Sequence, residues 1–284
     1  MTWARVISEL EHSLGDAGVE NPRLDLEVLA ANVLGTTRSG FLARLSEDAA
    51  EGEIAELRVL ADRRRDREPL AYITGLREFM SLDFEVTPAV LIPRPETELL
   101  VENAVEFIAG REDAVVVDLC TGSGCVAISI ARMSPGCRVY ATDISPDALE
   151  VARRNAARLN VGGRIDFAQG DLFEAFAEPS LEGECDLIVS NPPYVSERDM
   201  ANLAPEILDY EPVGALTAWD GGMEFHKRIL MESGRYIAKS GGIMMEISPE
   251  QAEELCQFAR DAAGFKSVDV LTDLTRRKRI IVAA

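Results

Sequence analysis

The chain has 284 residues, 47% of them hydrophobic and 27% charged, with a formal net charge of −20 at pH 7. That is room for one large and one small domain with real cores, and the acidic balance argues against a protein that gains its affinity by neutralising nucleic-acid phosphates. No apolar run is long enough to span a bilayer, and Met1-Thr2-Trp3-Ala4-Arg5 leads into an amphipathic stretch rather than a signal peptide.

Trp3, Val6, Ile7, Leu10 and Leu14 recur at helical spacing. Leu24, Val28 and Leu29 begin a second helix after Pro22, and Ile54, Leu57, Leu60 and Ala61 mark a longer one. Residues 1–72 therefore read as a helical bundle with no catalytic constellation, suited to substrate docking or to stability. Arg63-Arg64-Arg65 lies in an acid-rich helix and reads as a solvated face. Glu68-Pro69 interrupts the helical pattern. Leu82, Phe84 and Val86 then alternate with Asp83 and Glu85, the pattern of a half-buried strand. Residues 73–92 are thus a short β linker, and the larger domain occupies 93–284.

That domain opens with Ile92-Pro93-Arg94-Pro95-Glu96-Thr97-Glu98 and a helix through Leu99, Leu100, Val101 and Val105. Proline and acids suit a helix N-terminus, and the segment is placed to close one wall of a pocket. Val115 to Val117 form a β-branched run expected of a strand buried on both faces. It leads through Asp118 and Leu119 into Cys120-Thr121-Gly122-Ser123-Gly124, after which Val126, Ile128, Ile130 and Met133 are helical. Strand, glycine turn and helix bring backbone N–H groups close to a ligand. The spacing is not the dinucleotide fingerprint, and no Gly-Lys-Ser/Thr follows, so a phosphate-cradling loop is not expected. The next strand, Arg138 to Thr142, ends in Asp143. An acid there reads either as a helix cap or as the acceptor for two ribose hydroxyls. Ser145-Pro146-Asp147 opens a helix with Ser as cap and Pro in the first turn. Ile165 to Ala168 is a third strand, and Asp171-Leu172 beyond it can flank an adenine ring, Asp171 accepting from the exocyclic amine.

Cys185 to Ser190 reads as a buried strand stopped by Asn191-Pro192-Pro193-Tyr194. Two prolines fix an extended turn at the strand's carboxyl end, where open α/β sheets bind ligands. The turn presents an amide, rigid carbonyls and an aromatic ring, a set suited to gripping a planar NH2 group. Taken alone it is also an ordinary turn. Its position some seventy residues after the glycine loop favours the functional reading. The stretch through Tyr210-Glu211-Pro212 and Asp220-Gly221-Gly222 is long for a connection and reads as a substrate-binding loop.

Gly241-Gly242 precedes a strand from Ile243 to Ile247, Pro249 opens a helix, and Val268 to Leu271 and Lys278 to Val282 form two last strands. Arg276-Arg277-Lys278-Arg279 reads as charge on an edge strand. Alternating strands and helices give a parallel doubly wound α/β sheet ending in an antiparallel pair. The five cysteines have no Cys-x-x-Cys spacing and read as buried free thiols, with no metal site expected from them or from His12 and His226. This usage fits a reducing cytoplasm.

Several segments together resemble the bacterial protein-glutamine N5-methyltransferases that modify peptide chain release factors. They are Arg67 to Gly75, Arg77-Glu78-Phe79, Val90 to Glu98, Asp118 to Gly124, Asp143 and Ser190 to Tyr194. Pro-Arg-Pro-Glu-Thr-Glu combined with Asn-Pro-Pro-Tyr is specific, whereas Asn-Pro-Pro-Tyr alone is shared with adenine-N6 methyltransferases. The resemblance implies a seven-stranded class I methyltransferase sheet, S-adenosylmethionine as cofactor, and the glutamine of a Gly-Gly-Gln loop as acceptor. It implies cofactor contacts at Cys120, Thr121, Gly122, Ser123, Gly124, Asp143, Asp171, Leu172 and Asn191. It implies substrate contacts at Asn191, Pro192, Pro193 and Tyr194, with Asn191, Pro192 and Tyr194 catalytic. Release factors are the implied partner; neither nucleic acid nor a membrane is expected to be bound directly. Cys120 stands where the family more often has glycine, and binding is expected to survive because Gly122 and Gly124 remain. Asp220 to Glu224 matches the family's glycine-rich stretch only loosely, so no site role is carried onto it. Adenine-N6 methylation of DNA or RNA, glutamine methylation of a ribosomal protein, and a regulatory protein that binds cofactor without catalysis are the other readings.

Overall fold

A computed structural model describes residues 1–176 and 181–284. The chain forms two compact units, one of residues 1–76 with 204–210 and one of residues 77–203 with 211–284.

In the first unit, α1 (Trp3–Asp16), α2 (Pro22–Val33), α3 (Arg38–Leu42), α4 (Glu51–Arg65) and α5 (Leu70–Thr74) are joined by a helix from later in the chain, Pro205–Tyr210. Trp3 and Phe41 meet edge to face at 5.5 Å inside a core that includes Leu26, Leu29 and Leu57. The arginine run in α4 is not a solvated face throughout. Arg64 is buried and binds Asp25 at 2.7 Å and Glu206 at 3.0 Å. Leu57, Ala61 and Arg64 are spaced four and three residues apart, so Arg64 shares the inward face of the helix. A buried guanidinium needs such partners. Leu24, expected to help open α2, is exposed, and Leu26 and Leu29 supply its inward face.

In the second unit, β1 (Leu76–Phe79, which enters this unit at Arg77) and β2 (Leu82–Glu85) pair as a small separate sheet. The main sheet contains β3 (Val115–Leu119), β4 (Arg138–Asp143), β5 (Ile165–Gln169), β6 (Cys185–Ser190), β7 (Ile237–Glu246), β8 (Val268–Thr272) and β9 (Lys278–Ala283). Its order is β5-β4-β3-β6-β7-β9-β8. The first five strands run parallel, and β9 runs antiparallel to both neighbours. Side chains alternate through the sheet: Val116 joins a core under α6 (Glu98–Phe107), α7 (Cys125–Met133) and α8 (Pro146–Arg158). Val117 and Leu119 join the core on the other face, under α12 (Glu224–Ser233) and α13 (Ala252–Asp261). Between β6 and α12 lie the short α9 (Glu197–Met200), α10, the Pro205–Tyr210 helix already described, and α11 (Trp219–Gly222).

Two expectations about strands are corrected. β7 starts at Ile237 and carries Gly241-Gly242 inside it rather than before it. The register against β6 shifts between Cys185 and Leu187, so the glycines sit at an irregularity where a Cβ on Gly241 would lie 2.6 Å from the Cys185 carbonyl oxygen. The strand after Arg276 is not an edge: β8 is, and Arg279 lies one strand in, bound to Asp273 at 2.8 Å.

The chain runs outward through β3, β4 and β5 and then returns to place β6 on the other side of β3. The carboxyl ends of β3 and β6 flank this reversal, the position where doubly wound sheets open a crevice.

Candidate active site

A cavity of about 420 Å³ opens there and is lined entirely by the second unit. One wall is the loop after β3. Gly122 has φ 55° and Gly124 φ 80°, conformations that glycine adopts freely. A Cβ on Gly122 would project into open space, whereas one on Gly124 would press against Ile128 and Ala152. Gly122 therefore leaves room for a ligand, and Gly124 lets α7 and α8 pack closely. Cys120 also has a positive φ, 59°, so the position that departs from glycine is one where a side chain is strained.

The loop is tied to β4. Thr121 N–H donates to the Thr142 carbonyl at 2.8 Å, and Gly122 N–H to Asp143 Oδ2 at 2.8 Å. Asp143 Oδ1 accepts from Ser145 N–H at 2.9 Å. Asp143 thus serves as a local cap and still borders the cavity, with a second acceptor site on each oxygen. Burial raises its pKa, opposed by these backbone bonds. Beneath the loop, Asp118 accepts from Thr121 Oγ1 at 2.6 Å and Ala127 N–H at 3.2 Å. Burial pushes its pKa up to about 7. Asp171 lines the opposite side, its Oδ2 held by Arg228 at 2.8 Å, with buried Leu172 beside it.

The second wall is the turn after β6. Ser190 Oγ donates to the Leu119 carbonyl at 2.7 Å, locking the two strand ends together. Asn191 and Pro193 line the cavity; Pro192 is buried behind them. Tyr194 turns away from the lining and donates its hydroxyl to Glu246 Oε1 at 3.0 Å. Burial and the Glu246 carboxylate raise the Tyr194 pKa, keeping the phenol protonated. Of the expected site residues, Cys120, Thr121, Gly122, Ser123, Asp143, Asp171, Leu172, Asn191 and Pro193 border one cavity. Gly124, Pro192 and Tyr194 support it from behind.

Several residues that hold this site were not singled out from sequence. Asn191 Nδ2 donates to Thr97 Oγ1 at 3.2 Å, and Thr97 Oγ1 to Glu246 Oε2 at 2.6 Å. Gln251 Nε2 donates to the carbonyls of Tyr194, at 2.9 Å, and Gly221, at 3.1 Å. Gly222 approaches so closely that a Cβ would lie 2.1 Å from the Tyr194 carbonyl oxygen. The Asp220-Gly221-Gly222 stretch therefore supports the turn's backbone. Glu211, almost fully buried, accepts from Arg94 at 2.6 Å and Ile92 N–H at 3.2 Å, fixing the Pro-Arg-Pro segment over the cavity. Glu246 did leave a signal: it is the one acid in Ile243-Met244-Met245-Glu246-Ile247. An acid at the carboxyl end of a buried parallel strand is costly unless it has partners.

The cavity suits a nucleoside-sized ligand. Its volume falls in the range typical of small-molecule sites, the space beside Gly122 is free of side chains, and acceptors stand at Asp143 and Asp171. A carboxamide at Asn191 borders the same space.

Residues 5–75 match the family described as PrmC N-terminal domain, and residues 95–211 that described as methyltransferase small domain. A release factor glutamine methyltransferase of Moorella thermoacetica is 38% identical, covering 100% of this chain and 98% of that protein. One of Bordetella pertussis is 42% identical, covering 95% and 97%. The solved structure of a methyltransferase from Pyrococcus furiosus superposes with a TM-score of 0.53 at 19% identity, over 81% of this chain and 96% of that one, a likeness of fold alone.

Proposed function

The chain belongs to the release factor glutamine methyltransferase family, an S-adenosylmethionine-dependent enzyme family, and we propose from this that it methylates the side-chain N5 of the glutamine in the Gly-Gly-Gln loop of a peptide chain release factor. The observation that carries the reading is that Asn191 borders the same cavity as Gly122 and Asp143.

When bound, S-adenosylmethionine supplies an electrophilic methyl group on a positively charged sulfur. Asp143 would accept from the ribose hydroxyls, the 120–124 loop would hold the methionine arm, and Asp171 and Leu172 would border the adenine. A carboxamide nitrogen is a poor nucleophile because its lone pair is delocalised into the carbonyl. Asn191 Oδ1 and the Pro192 carbonyl accept its two N–H bonds. That turns the nitrogen toward the methyl and favours the positive charge that develops on it, a positional and electrostatic effect. Tyr194, held by Glu246 behind the turn, steadies the backbone that carries Asn191 and the Pro192 carbonyl. Methyl transfer would break the carbon–sulfur bond and leave neutral S-adenosylhomocysteine, and the nitrogen, made acidic by its new bond to carbon, would release its proton to solvent without a dedicated strong base.

The unit of residues 1–76 with 204–210 has its own core and serves to dock the protein substrate. With a net charge of −20 the chain does not bind nucleic acid directly; salt-sensitive retention of duplex DNA in a gel-shift assay would favour adenine methylation instead. Mass spectrometry of the release factor after incubation with enzyme and cofactor tests the main reading. A 14-Da gain on the Gly-Gly-Gln peptide is expected, and an unmodified peptide at full enzyme loading overturns it.

A further inference from the structure

We propose that Thr97 and Glu246 are positioning residues that set the polarity of the Asn191 carboxamide, so that its oxygen and not its nitrogen faces the substrate amide. The inference rests on the reading above that a substrate NH2 group is bound at Asn191.

The available protons fix the direction of each hydrogen bond. An ionised carboxylate only accepts hydrogen bonds, and a hydroxyl has a single hydrogen to give. Glu246 Oε1 takes the hydrogen of Tyr194 at 3.0 Å and Oε2 that of Thr97 at 2.6 Å. With its hydrogen committed, Thr97 Oγ1 can only accept from Asn191, at 3.2 Å. The group it accepts from must be the amide nitrogen. Oδ1 is thereby left on the other side of the amide as an acceptor. Thr97 and Glu246 are each 2% exposed, so little water competes for either, although Thr97 borders the cavity. Thr97 precedes α6, Asn191 follows β6 and Glu246 ends β7, so three separate elements meet in one hydrogen-bonded chain that reaches the amide through Thr97.

The order reverses if Glu246 gains a proton. A neutral carboxyl can donate to Thr97, whose hydroxyl then donates to the amide oxygen. The amide must flip, and its NH2 then opposes the NH2 of the substrate. Around Glu246, Glu96 before α6 and burial disfavour the anion, while Arg279 on β9, Thr97 and Tyr194 favour it. Cys125 at the start of α7 feels its charge, and His226 of α12 contacts only its backbone carbonyl, at 2.7 Å. Burial wins, so the group titrates above an ordinary glutamate. Turnover should therefore decline on the acid side as one proton is taken up.

The test compares Thr97→Val, Thr97→Ser and Glu246→Gln in the full-length enzyme. Each is checked for native melting and for binding of S-adenosylmethionine, which should stay within about threefold of the parent. Thr97→Val and Glu246→Gln should each lower kcat by about 10²-fold, the scale on which misplacing a reacting group costs rate. Thr97→Ser keeps the hydroxyl and should restore kcat to within a few-fold. The acid decline in kcat should vanish in Glu246→Gln. A second readout needs no turnover: the Asn191 side-chain NH2 resonances in the cofactor-free protein should shift together on acidification, and not in Glu246→Gln. Should the parent leave the release factor unmethylated, the functional reading fails and these resonances alone decide the clamp. A Thr97→Val enzyme with parental kcat, or Asn191 resonances indifferent to pH and to Glu246→Gln, would overturn the proposal.

Discussion

The two loops that wall the cavity sit at the ends of adjacent strands, yet they are held in opposite ways. The loop after β3 is shaped locally. Its glycines take positive φ, and its ties run to Asp118, three residues before Thr121, to the next strand at Thr142 and Asp143, and to Asn155 on α8, the one tie from farther along the chain among those described. The turn after β6 is held from a distance. Its supports are Thr97, Glu246, Gln251 and Gly222, from four other segments. A ligand loop can thus be built largely from backbone conformation and a few side chains on the strands and helix beside it. Aiming a single amide to within a fraction of an ångström takes side chains brought in by the whole sheet.

The comparison predicts that damage separates by wall, and the largest effect falls on the turn. Asn191→Ala should lower kcat by about 10²–10³, as removal of one preorganised polar group does, with cofactor affinity nearly unchanged. Steady-state kinetics with calorimetry will decide; equal methylation rates in variant and parent would remove the turn's proposed role. On the other wall, Asp143→Ala should weaken cofactor binding about ten- to hundredfold, the worth of roughly 1.5–3 kcal/mol for a hydrogen bond to a charged group. An affinity that calorimetry finds unaltered would contradict the ribose assignment.

The local wall also carries a pH signature. Asp118 titrates near 7 in the folded chain, against about 3.9 unfolded. The folded state therefore binds more protons across that window, and stability present at low pH is lost as pH rises through it. The slope approaches roughly 1.4 kcal/mol per pH unit in the absence of ligand. Denaturant titrations of Asp118→Asn should lack this component, and a parent whose stability is flat from pH 4 to 7 would refute it. The smallest effect concerns Cys120. Its φ of 59° costs a side chain about 1–3 kcal/mol, partly offset by the greater unfolded-state freedom of glycine. Cys120→Gly should raise stability by about 1 kcal/mol or less; a fall in melting temperature would show that the thiol's packing outweighs the strain.

The same contrast decides what could be read in advance. The β3 loop, Asp143 and the Ser145 cap were legible because glycine spacing, strand ends and helix caps act over a few residues. Ser145 Oγ does accept from Ala148 N–H at 3.2 Å. Arg64 was legible in principle, since its spacing from Leu57 and Ala61 puts it on the inward face. The edge assignment of the last strand was not. Whether β8 or β9 lies outermost depends on which pairs with β7, and no local pattern records it.

Sequence by itself determined the strand–loop–helix order, the glycine loop, the proline-fixed turn after β6 and the family, because each rests on residue types at short spacing. Tertiary structure alone decided that residues 204–210 join the helical unit, and that Thr97, Asn191, Tyr194 and Glu246 form one hydrogen-bonded chain. Thr97 and Glu246 lie 149 residues apart. Nothing in a buried hydroxyl or a lone strand acid names its partner, since hydrogen bonds are chosen by the geometry that packing creates.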